Sequence, residues 1–192
     1  MNFNESETLK NLTRAFAGEC CDGAKYQYLA DTANQNNLSE VSTILKGLAT
    51  NEMAHAKIFY DLINENSNNG VDIIEFKATL PMKNDNFEQM FDIKSKEENR
   101  QHDTIYPSFA KTAEKEGFSG ISNIFLEISK IERCHAIVLE KLYNMIKNKN
   151  LYKFDHKELI KCINCGHEEE LKNAWKICPL CSKNKGYIKI NL

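Results

Sequence analysis

The chain has 192 residues and a formal net charge of −2, with 25 Lys and Arg against 27 Asp and Glu. This balance argues against a nucleic-acid partner or an anionic membrane surface, and a hydrophobic fraction of 42% excludes a disordered chain. Because no apolar run approaches the roughly 20 residues of a membrane-spanning helix, and residues 1–12 are too polar for a signal segment, we expect a cytoplasmic protein with no membrane partner.

Two long segments at the start of the chain have the alternating three- and four-residue spacing of apolar positions that is typical of bundle helices. The first runs from about residue 5 to 36 and the second from about residue 39 to 65. Ionisable residues interrupt both buried stripes, namely Glu19 in the first segment and Glu52 and His55 in the second. Glutamate on a buried stripe indicates a polar centre inside the bundle.

The pattern breaks over residues 66–83, where Asn68-Asn69-Gly70 and Pro81 predict a long connection with a short extended piece at residues 71–76. A third helix is predicted over residues 84–116. We expect a distortion at Pro107, which cannot donate to the helix ladder, and a stop at Gly117.

The fourth helix, over residues 119–149, has the cleanest stripe and carries Glu132 and His135 three residues apart. With only 8 Gly and 3 Pro, the chain has too few turn-formers for an all-β fold. The sequence therefore predicts a mainly α protein whose residues 1–149 form a four-helix bundle with a long crossover between the second and third helices.

The ionisable residues on the buried stripes form a recognisable set of metal ligands. Each glutamate would cost several kcal/mol if it were buried, ionised and unpaired. A single Glu-x-x-His pair occurs by chance on many solvated helices. Two such pairs on different helices, with one glutamate from each of the other two helices, are the inventory of a di-iron carboxylate bundle. The six candidate ligands are Glu19, Glu52, His55, Glu98, Glu132 and His135.

Two tyrosines follow the single glutamates at similar distances. Tyr26 lies 7 residues after Glu19, and Tyr106 lies 8 residues after Glu98. A buried tyrosine often only satisfies its own hydroxyl group, but these two are also placed to hydrogen-bond a ligand carboxylate. Both interpretations stay open at this point.

The end of the chain predicts a separate small module. Residues 150–157 form a polar linker, and residues 158–192 are too few to fold around an apolar core alone. Two Cys-x-x-Cys pairs offer four thiolates to one tetrahedral ion, which stabilises such a module. Zinc would make it a structural ribbon and iron a one-electron carrier; we favour iron because a di-iron bundle needs electrons. The four cysteines are Cys162, Cys165, Cys178 and Cys181.

Taken in order along nearly the whole chain, these motifs resemble the rubrerythrin family. The resemblance implies a ferritin-like di-iron bundle followed by a rubredoxin-like Fe(Cys)4 domain, and it implies that the six bundle residues and the four cysteines ligate iron. The segments that carry it, besides the cysteine pairs, are Phe16-Ala-Gly-Glu19, Glu52-x-x-His55, Tyr106-Pro-Ser-Phe-Ala110, Glu116-Gly-Phe118 and Glu132-x-x-His135.

The same resemblance implies an activity and partners. Family members are non-haem peroxidases that reduce hydrogen peroxide to water in oxidative-stress defence. They pair as head-to-tail homodimers, in which the rubredoxin-like iron of one subunit supplies electrons to the bundle of the other. A separate NAD(P)H-linked reductase is the expected electron donor.

One position departs from the family pattern. Relatives have a further glutamate three residues after the one corresponding to Glu98, and it trades places with a histidine as the iron changes redox state. This chain has Gln101 there, which cannot supply a negative ligand. This departure weakens the case for a peroxidase. The alternative function is a ferroxidase or another iron-handling protein, with the tail as a zinc ribbon, because peroxide reduction and Fe(II) oxidation use the same ligands.

Overall fold

The computed structural model describes residues 2–67, 73–79, 81–82 and 85–192. Its main body is a helical bundle in which the first helix packs along the second, while the third and fourth pack along the fifth. Within the described ranges, no helix is both long enough and apolar enough to cross a membrane. The helices are α1 (Glu7–Gln35), α2 (Ser39–Asn66), α3 (Phe87–Arg100), α4 (Tyr106–Glu116) and α5 (Ser119–Lys147).

The third helix, predicted over residues 84–116 with a distortion at Pro107, is interrupted just before that proline. A π-helical segment, Gln101–Ile105, joins α3 to α4, and the N–H of Tyr106 donates to the carbonyl oxygen of Gln101. The wider π turn ends just before Pro107, which lies in the first turn of α4, where a missing N–H is tolerated. Tyr106 is consequently buried at 2% exposure. The predicted stop is confirmed, since Gly117 has a φ of 90°.

Only part of the predicted crossover can be compared with the structure. Residues 73–79 form neither helix nor strand. The first two residues of the predicted extended piece, Val71 and Asp72, lie outside the described residues, as does the predicted start of the third helix at Asn84. The described α3 begins at Phe87, and the side chain of Asn86 caps it by accepting from the N–H of Gln89.

Two apolar clusters fill the bundle on either side of the ionisable residues. One cluster includes Leu12 of α1, which precedes Glu19, and Phe59 of α2, which follows Glu52. The other contains Tyr26 and Leu45, which lie on the opposite sides of those glutamates along the chain. The carboxylates therefore form a polar belt between two apolar layers.

The C-terminal module is built on a two-stranded antiparallel sheet. The strands are β1 (Lys153–Lys161) and β2 (Glu168–Asn173), with an irregularity in the pairing between Lys153 and Glu158. Strand β1 thus begins inside the segment predicted as a linker, because the chain starts pairing before the first cysteine. The division of the chain at residues 149 and 158 stays a prediction.

The module packs against the turn between α1 and α2. Leu151 and Ile190 join the apolar cluster of the bundle. Gly186 lies so close to the turn that an added Cβ would overlap the carbonyl oxygen of Asn37. Asn37 itself has a φ of 58°, which asparagine tolerates better than most residues. Only a glycine at position 186 allows this contact.

Candidate metal centres

The structure brings the six bundle candidates together from α1, α2, α3 and α5. Each of them is at most 4% exposed. They form two overlapping groups, and within each group one ligand atom per residue lies within 4.8 Å of the others. The first group is Glu19, Glu52, His55 and Glu132; the second is Glu52, Glu98, Glu132 and His135. Glu52 and Glu132 belong to both groups, which is the arrangement that two neighbouring ions with shared carboxylates require.

The donor atoms in this belt fit a pair of cations. Each glutamate has at least one buried oxygen that lacks a hydrogen-bond partner of acceptable geometry among the described residues. A buried carboxylate oxygen without a donor is costly, and positive metal ions remove that cost. The atoms without such a hydrogen bond are Glu19 Oε2, Glu52 Oε1, Glu98 Oε2, both carboxylate oxygens of Glu132, and His135 Nδ1. Some of them still form ion pairs, since Glu132 Oε1 lies 3.0 Å from His55 Nδ1 and Glu132 Oε2 lies 2.9 Å from His135 Nδ1.

The electrostatics of the belt show how strongly it attracts positive charge. Burial disfavours charged imidazole rings, yet the surrounding carboxylates raise the pKa of His55 to about 12 and that of His135 to about 10. Burial likewise opposes ionisation of Glu52, but the two histidines lower its pKa to about 2. Burial raises the pKa of Glu19 well above its usual value. The belt therefore favours positive charge, and metal ions would compete with protons for these side chains.

Both tyrosines predicted beside the site hydrogen-bond a candidate ligand on another helix. The hydroxyl of Tyr26 on α1 donates to Glu98 Oε1 on α3 over 2.6 Å. The hydroxyl of Tyr106 on α4 donates to Glu19 Oε1 on α1. Each tyrosine therefore fixes one carboxylate oxygen and leaves the other free to face a metal ion.

A buried lysine that the sequence analysis did not single out lies beside the site. Lys94 is 1% exposed, and its ammonium group lies 2.9 Å from both Glu98 Oε1 and Asp22 Oδ1 and 3.2 Å from Glu97 Oε2. Burial raises the pKa of Glu98 to about 8, although the Lys94 charge lowers it. The sequence did indicate that Lys94 is buried, because its position continues the buried stripe of the helix from Phe91 to Glu98.

Gln101 is held beside the belt rather than within either ligand group. Its side-chain Nε2 donates to Asp22 Oδ2 over 2.9 Å. Its Oε1 is buried and has no hydrogen-bond partner among the described residues. Lys94, Asp22 and Gln101 therefore form a chain of contacts that fixes the orientation of the amide.

The four cysteines of the module form the second centre. The Sγ atoms of Cys162 and Cys181 are 3.7 Å apart, as are those of Cys165 and Cys178. A tetrahedron with metal–sulfur bonds of about 2.3 Å has edges of about 3.8 Å, so the spacing fits one tetrahedral ion. A backbone hydrogen bond from Lys183 contributes to the lowered pKa of the Cys181 thiol, about 6. This favours the metal-binding thiolate form at Cys181. At Cys165 a backbone hydrogen bond from His167 lowers the pKa, but burial and the other three cysteines raise it to about 12.

Comparison with known proteins places these centres in context. The rubrerythrin family model matches residues 10–143 and 100–173. Rubrerythrin-1 of Clostridium acetobutylicum is 33% identical over 186 residues, which cover 96% of this chain and 94% of the relative. Rubrerythrin of Clostridium perfringens is 32% identical over 188 residues, covering 96% of this chain and 94% of the relative.

Solved structures share the fold. Fully reduced, all-ferrous nigerythrin superimposes with a TM-score of 0.63 at 24% identity and covers 100% of this chain and 94% of its own. Bacterioferritin of Desulfovibrio desulfuricans has a TM-score of 0.65 at 20% identity, covering 75% of this chain and 82% of its own. The predicted ferritin-like bundle with a rubredoxin-like module is confirmed. The bundle has a carboxylate and histidine site for two iron ions, and the module has a four-cysteine site for one.

Proposed function

The chain belongs to the rubrerythrin family, and on this premise we propose that it is a peroxidase that reduces hydrogen peroxide to water. It is an iron-binding protein of a family of oxidoreductases. The observation that carries the proposal is the pair of overlapping ligand groups that share Glu52 and Glu132. Two adjacent ions fit a reaction that consumes two electrons.

The roles of the ligands follow from their positions. Glu52 and Glu132, which belong to both groups, would be shared between the two ions. Glu19 with His55, and Glu98 with His135, would complete one ligand set each. When bound, two ferrous ions supply the two electrons that convert H₂O₂ and two protons into two molecules of water. Tyr26 and Tyr106 keep the terminal carboxylates in place through their hydrogen bonds.

Electron supply forms the second part of the proposal. With iron bound to its four cysteines, the module would pass electrons to the bundle and would receive them from a separate NAD(P)H-linked reductase. We place the chain in a head-to-tail homodimer, so that the module of one subunit serves the bundle of its partner. A cytoplasmic location, where thiols stay reduced, fits this arrangement.

Anaerobic stopped-flow kinetics tests the peroxidase. The prereduced iron-loaded chain is mixed with hydrogen peroxide or with oxygen, and ferric absorption is followed. We expect peroxide to oxidise two bundle irons per molecule, far faster than it oxidises free Fe(II). A rate no better than that of free iron, together with rapid oxidation by oxygen, would reject the peroxidase in favour of the iron-handling alternative.

Cys178→Ser tests electron delivery. This variant should perform one stoichiometric oxidation of prereduced bundle iron but lose sustained turnover with a reductase. Mixed dimers of Cys178→Ser and Glu132→Ala chains should recover turnover, because each subunit supplies what the other lacks. Verified mixed dimers without recovery would contradict delivery between subunits.

A further inference from the structure

The two halves of the bundle site are built alike in most of their contacts. The Glu19 half consists of Glu19 and His55, and the Glu98 half consists of Glu98 and His135. In both halves the histidine Nδ1 lies between 2.9 and 3.1 Å from the two shared glutamates. In both halves the single glutamate also accepts a hydrogen bond from a buried tyrosine on another helix. These contacts do not distinguish the two halves.

Lys94 is the contact that differs between them. It lies four residues before Glu98 on α3, so both side chains are on one face of the helix, and its ammonium group is 2.9 Å from Glu98 Oε1. The corresponding position on α1, four residues before Glu19, is the buried Ala15. Within the described ranges no lysine or arginine contacts Glu19. A positive side chain therefore lies beside only one of the two proposed ion positions.

The surroundings of Lys94 hold its ammonium group in place. The group contacts Asp22 Oδ1 at 2.9 Å and Glu97 Oε2 at 3.2 Å. It also lies 4.9 Å from the centre of the Tyr26 ring, an arrangement that favours a cation. Movement of the buried lysine toward solvent would break its ion pairs with Asp22, Glu97 and Glu98 together. Lys94 therefore remains beside Glu98 when an ion approaches.

We propose that Lys94 makes the two ion positions unequal, so that the chain binds one divalent cation tightly in the Glu19 half and a second one weakly in the Glu98 half. The physical reason is repulsion between like charges in a buried site, where screening is poor. In addition, the ammonium group and a tyrosine hydroxyl both contact Glu98 Oε1, which leaves only Oε2 to face an ion. This order of filling depends on the two-ion centre and not on the peroxidase reaction.

Unequal positions have a consequence for the reaction. With only the tighter position filled, the bundle lacks the second of the two ferrous ions on which the proposed reduction of peroxide depends. The chain would then reduce peroxide only when the concentration of free Fe(II) is high enough to fill the Glu98 half. This consequence rests on the proposed function, whereas the order of filling does not.

Titration with Mn²⁺, which suits carboxylate ligands, measures the order of filling without turnover. The chain is prepared with ferric iron in the cysteine module and a metal-free bundle, and electron paramagnetic resonance follows free and bound Mn²⁺. We expect two binding steps whose dissociation constants differ by about tenfold or more. At one equivalent the spectrum should show isolated ions. Equal steps, or coupled pairs of ions from the first equivalent onward, would overturn the inference.

Lys94→Met tests whether the lysine charge causes the difference. Methionine is of similar length but uncharged, so the weaker step should tighten by about tenfold or more. Lys25→Met is the matched control, because Lys25 also contacts Asp22 and Glu97, each at 3.3 Å, while only Lys94 among the described lysines contacts Glu98. In this control the weaker step should stay within about threefold of the wild type.

A double variant guards against misfolding of Lys94→Met. Lys94→Met combined with Asp22→Asn removes one positive and one negative charge together, so the charge of the buried network stays balanced. The weaker step should again tighten. An unchanged weaker step in either folded variant would reject the role of Lys94.

Substitutions of the single glutamates locate the two steps. Glu98→Gln should remove the weaker step and keep the tighter one, and Glu19→Gln should do the reverse. The opposite assignment would overturn the inference. Two unequal steps in a wild-type chain that reduces no peroxide at saturating Fe(II) would support the inference and reject the proposed function. Equal steps in an active peroxidase would overturn the inference alone.

Discussion

The ammonium group of Lys94 lies 2.9 Å from Oε1 of Glu98 in the buried interior of the bundle. The same oxygen accepts the Tyr26 hydroxyl at 2.6 Å. Oε1 of Glu98 is therefore occupied by two donors, and only Oε2 remains for a metal ion. Among the described residues no lysine or arginine contacts Glu19, whose Oε2 instead lies 3.6 Å from His55 Nδ1, so the two halves of the proposed iron site differ in their neighbouring charges.

Lys94→Met should destabilise the metal-free chain much more than the loaded chain. Without the Lys94 ammonium group, Asp22, Glu97 and Glu98 lose a positive charge that contacts all three. Breaking a buried ion pair lowers the free energy of unfolding by about 3–5 kcal/mol. Bound metal compensates Glu98, so the loss is smaller in the loaded chain. Urea unfolding with and without chelator measures both losses. Lys57→Met, which removes an exposed pair with Asp61, is the control; equal losses in the two metal states of Lys94→Met would contradict the argument.

Glu132→Ala should empty the bundle of metal but leave the module loaded. Glu132 belongs to both ligand groups, so its removal affects both ions. Elemental analysis should fall from about three metal ions per chain to about one, with the visible absorption of the ferric tetrathiolate retained. Glu127→Ala on the exposed face of α5 should keep the full complement. A full pair of bundle ions in Glu132→Ala would show that the proposed site is wrong.

The helix periodicity and the cost of burying carboxylates were enough to predict the bundle. They were also enough to predict that the six candidate ligands lie at the same height along it. The π-helical turn before Tyr106 was not predictable, because Pro107 marks a disturbance without saying how many residues the wider turn takes up. Lys94 was overlooked because lysine is rarely fully buried. Its stripe position was visible in the sequence, but the three carboxylates that make its burial tolerable come together only in the fold.

Gln101→Glu should need a second substitution, at Asp22, before the new carboxylate can be accommodated and affect the bundle iron. The new carboxylate would face Asp22 Oδ2, which now accepts from the Gln101 amide over 2.9 Å. We expect the single variant to lose about 1–3 kcal/mol of stability through the lost bond and the unpaired buried acceptor. Adding Asp22→Asn should restore a donor and recover most of that loss.

The same double variant tests the redox effect of the missing negative ligand. An added anion beside the belt stabilises ferric over ferrous iron, so the reduction potential of the bundle should fall relative to the wild type. Redox titration of the loaded chain measures it, with Asp22→Asn alone as the control. An unchanged potential in a correctly folded double variant would refute the electrostatic argument.

Glu116→Gln should weaken the start of α1 in a pH-dependent way. The Glu116 carboxylate accepts from the N–H groups of Glu7 and Thr8, at 3.0 and 2.8 Å. Burial opposes ionisation, but the hydrogen bonds from Thr8 and Glu7 hold the pKa of Glu116 below its ordinary value. Its contribution is thus full at neutral pH and is lost as the pH falls through the folded pKa. We expect a loss of about 1 kcal/mol at pH 7.

Thermal unfolding across pH values measures this effect. The difference between Glu116→Gln and the wild type should shrink in acid, where the wild-type carboxyl also becomes neutral. Glu114→Gln, which changes an exposed neighbour on the same helix, should show no such dependence. A difference that grows as the pH falls would reverse the predicted sign.

The absence of a side chain at Gly186 lets the module lie directly on the turn at Asn37, with Leu151 and Ile190 anchored in the apolar cluster of the bundle. Bundle and module therefore share an apolar core and are not two domains joined only by a flexible linker. Stability gained when the cysteines take up their ion is then transmitted to the helices, and the two parts should melt as a single cooperative unit. Iron binding by the module would in this way determine how stable the helical bundle is.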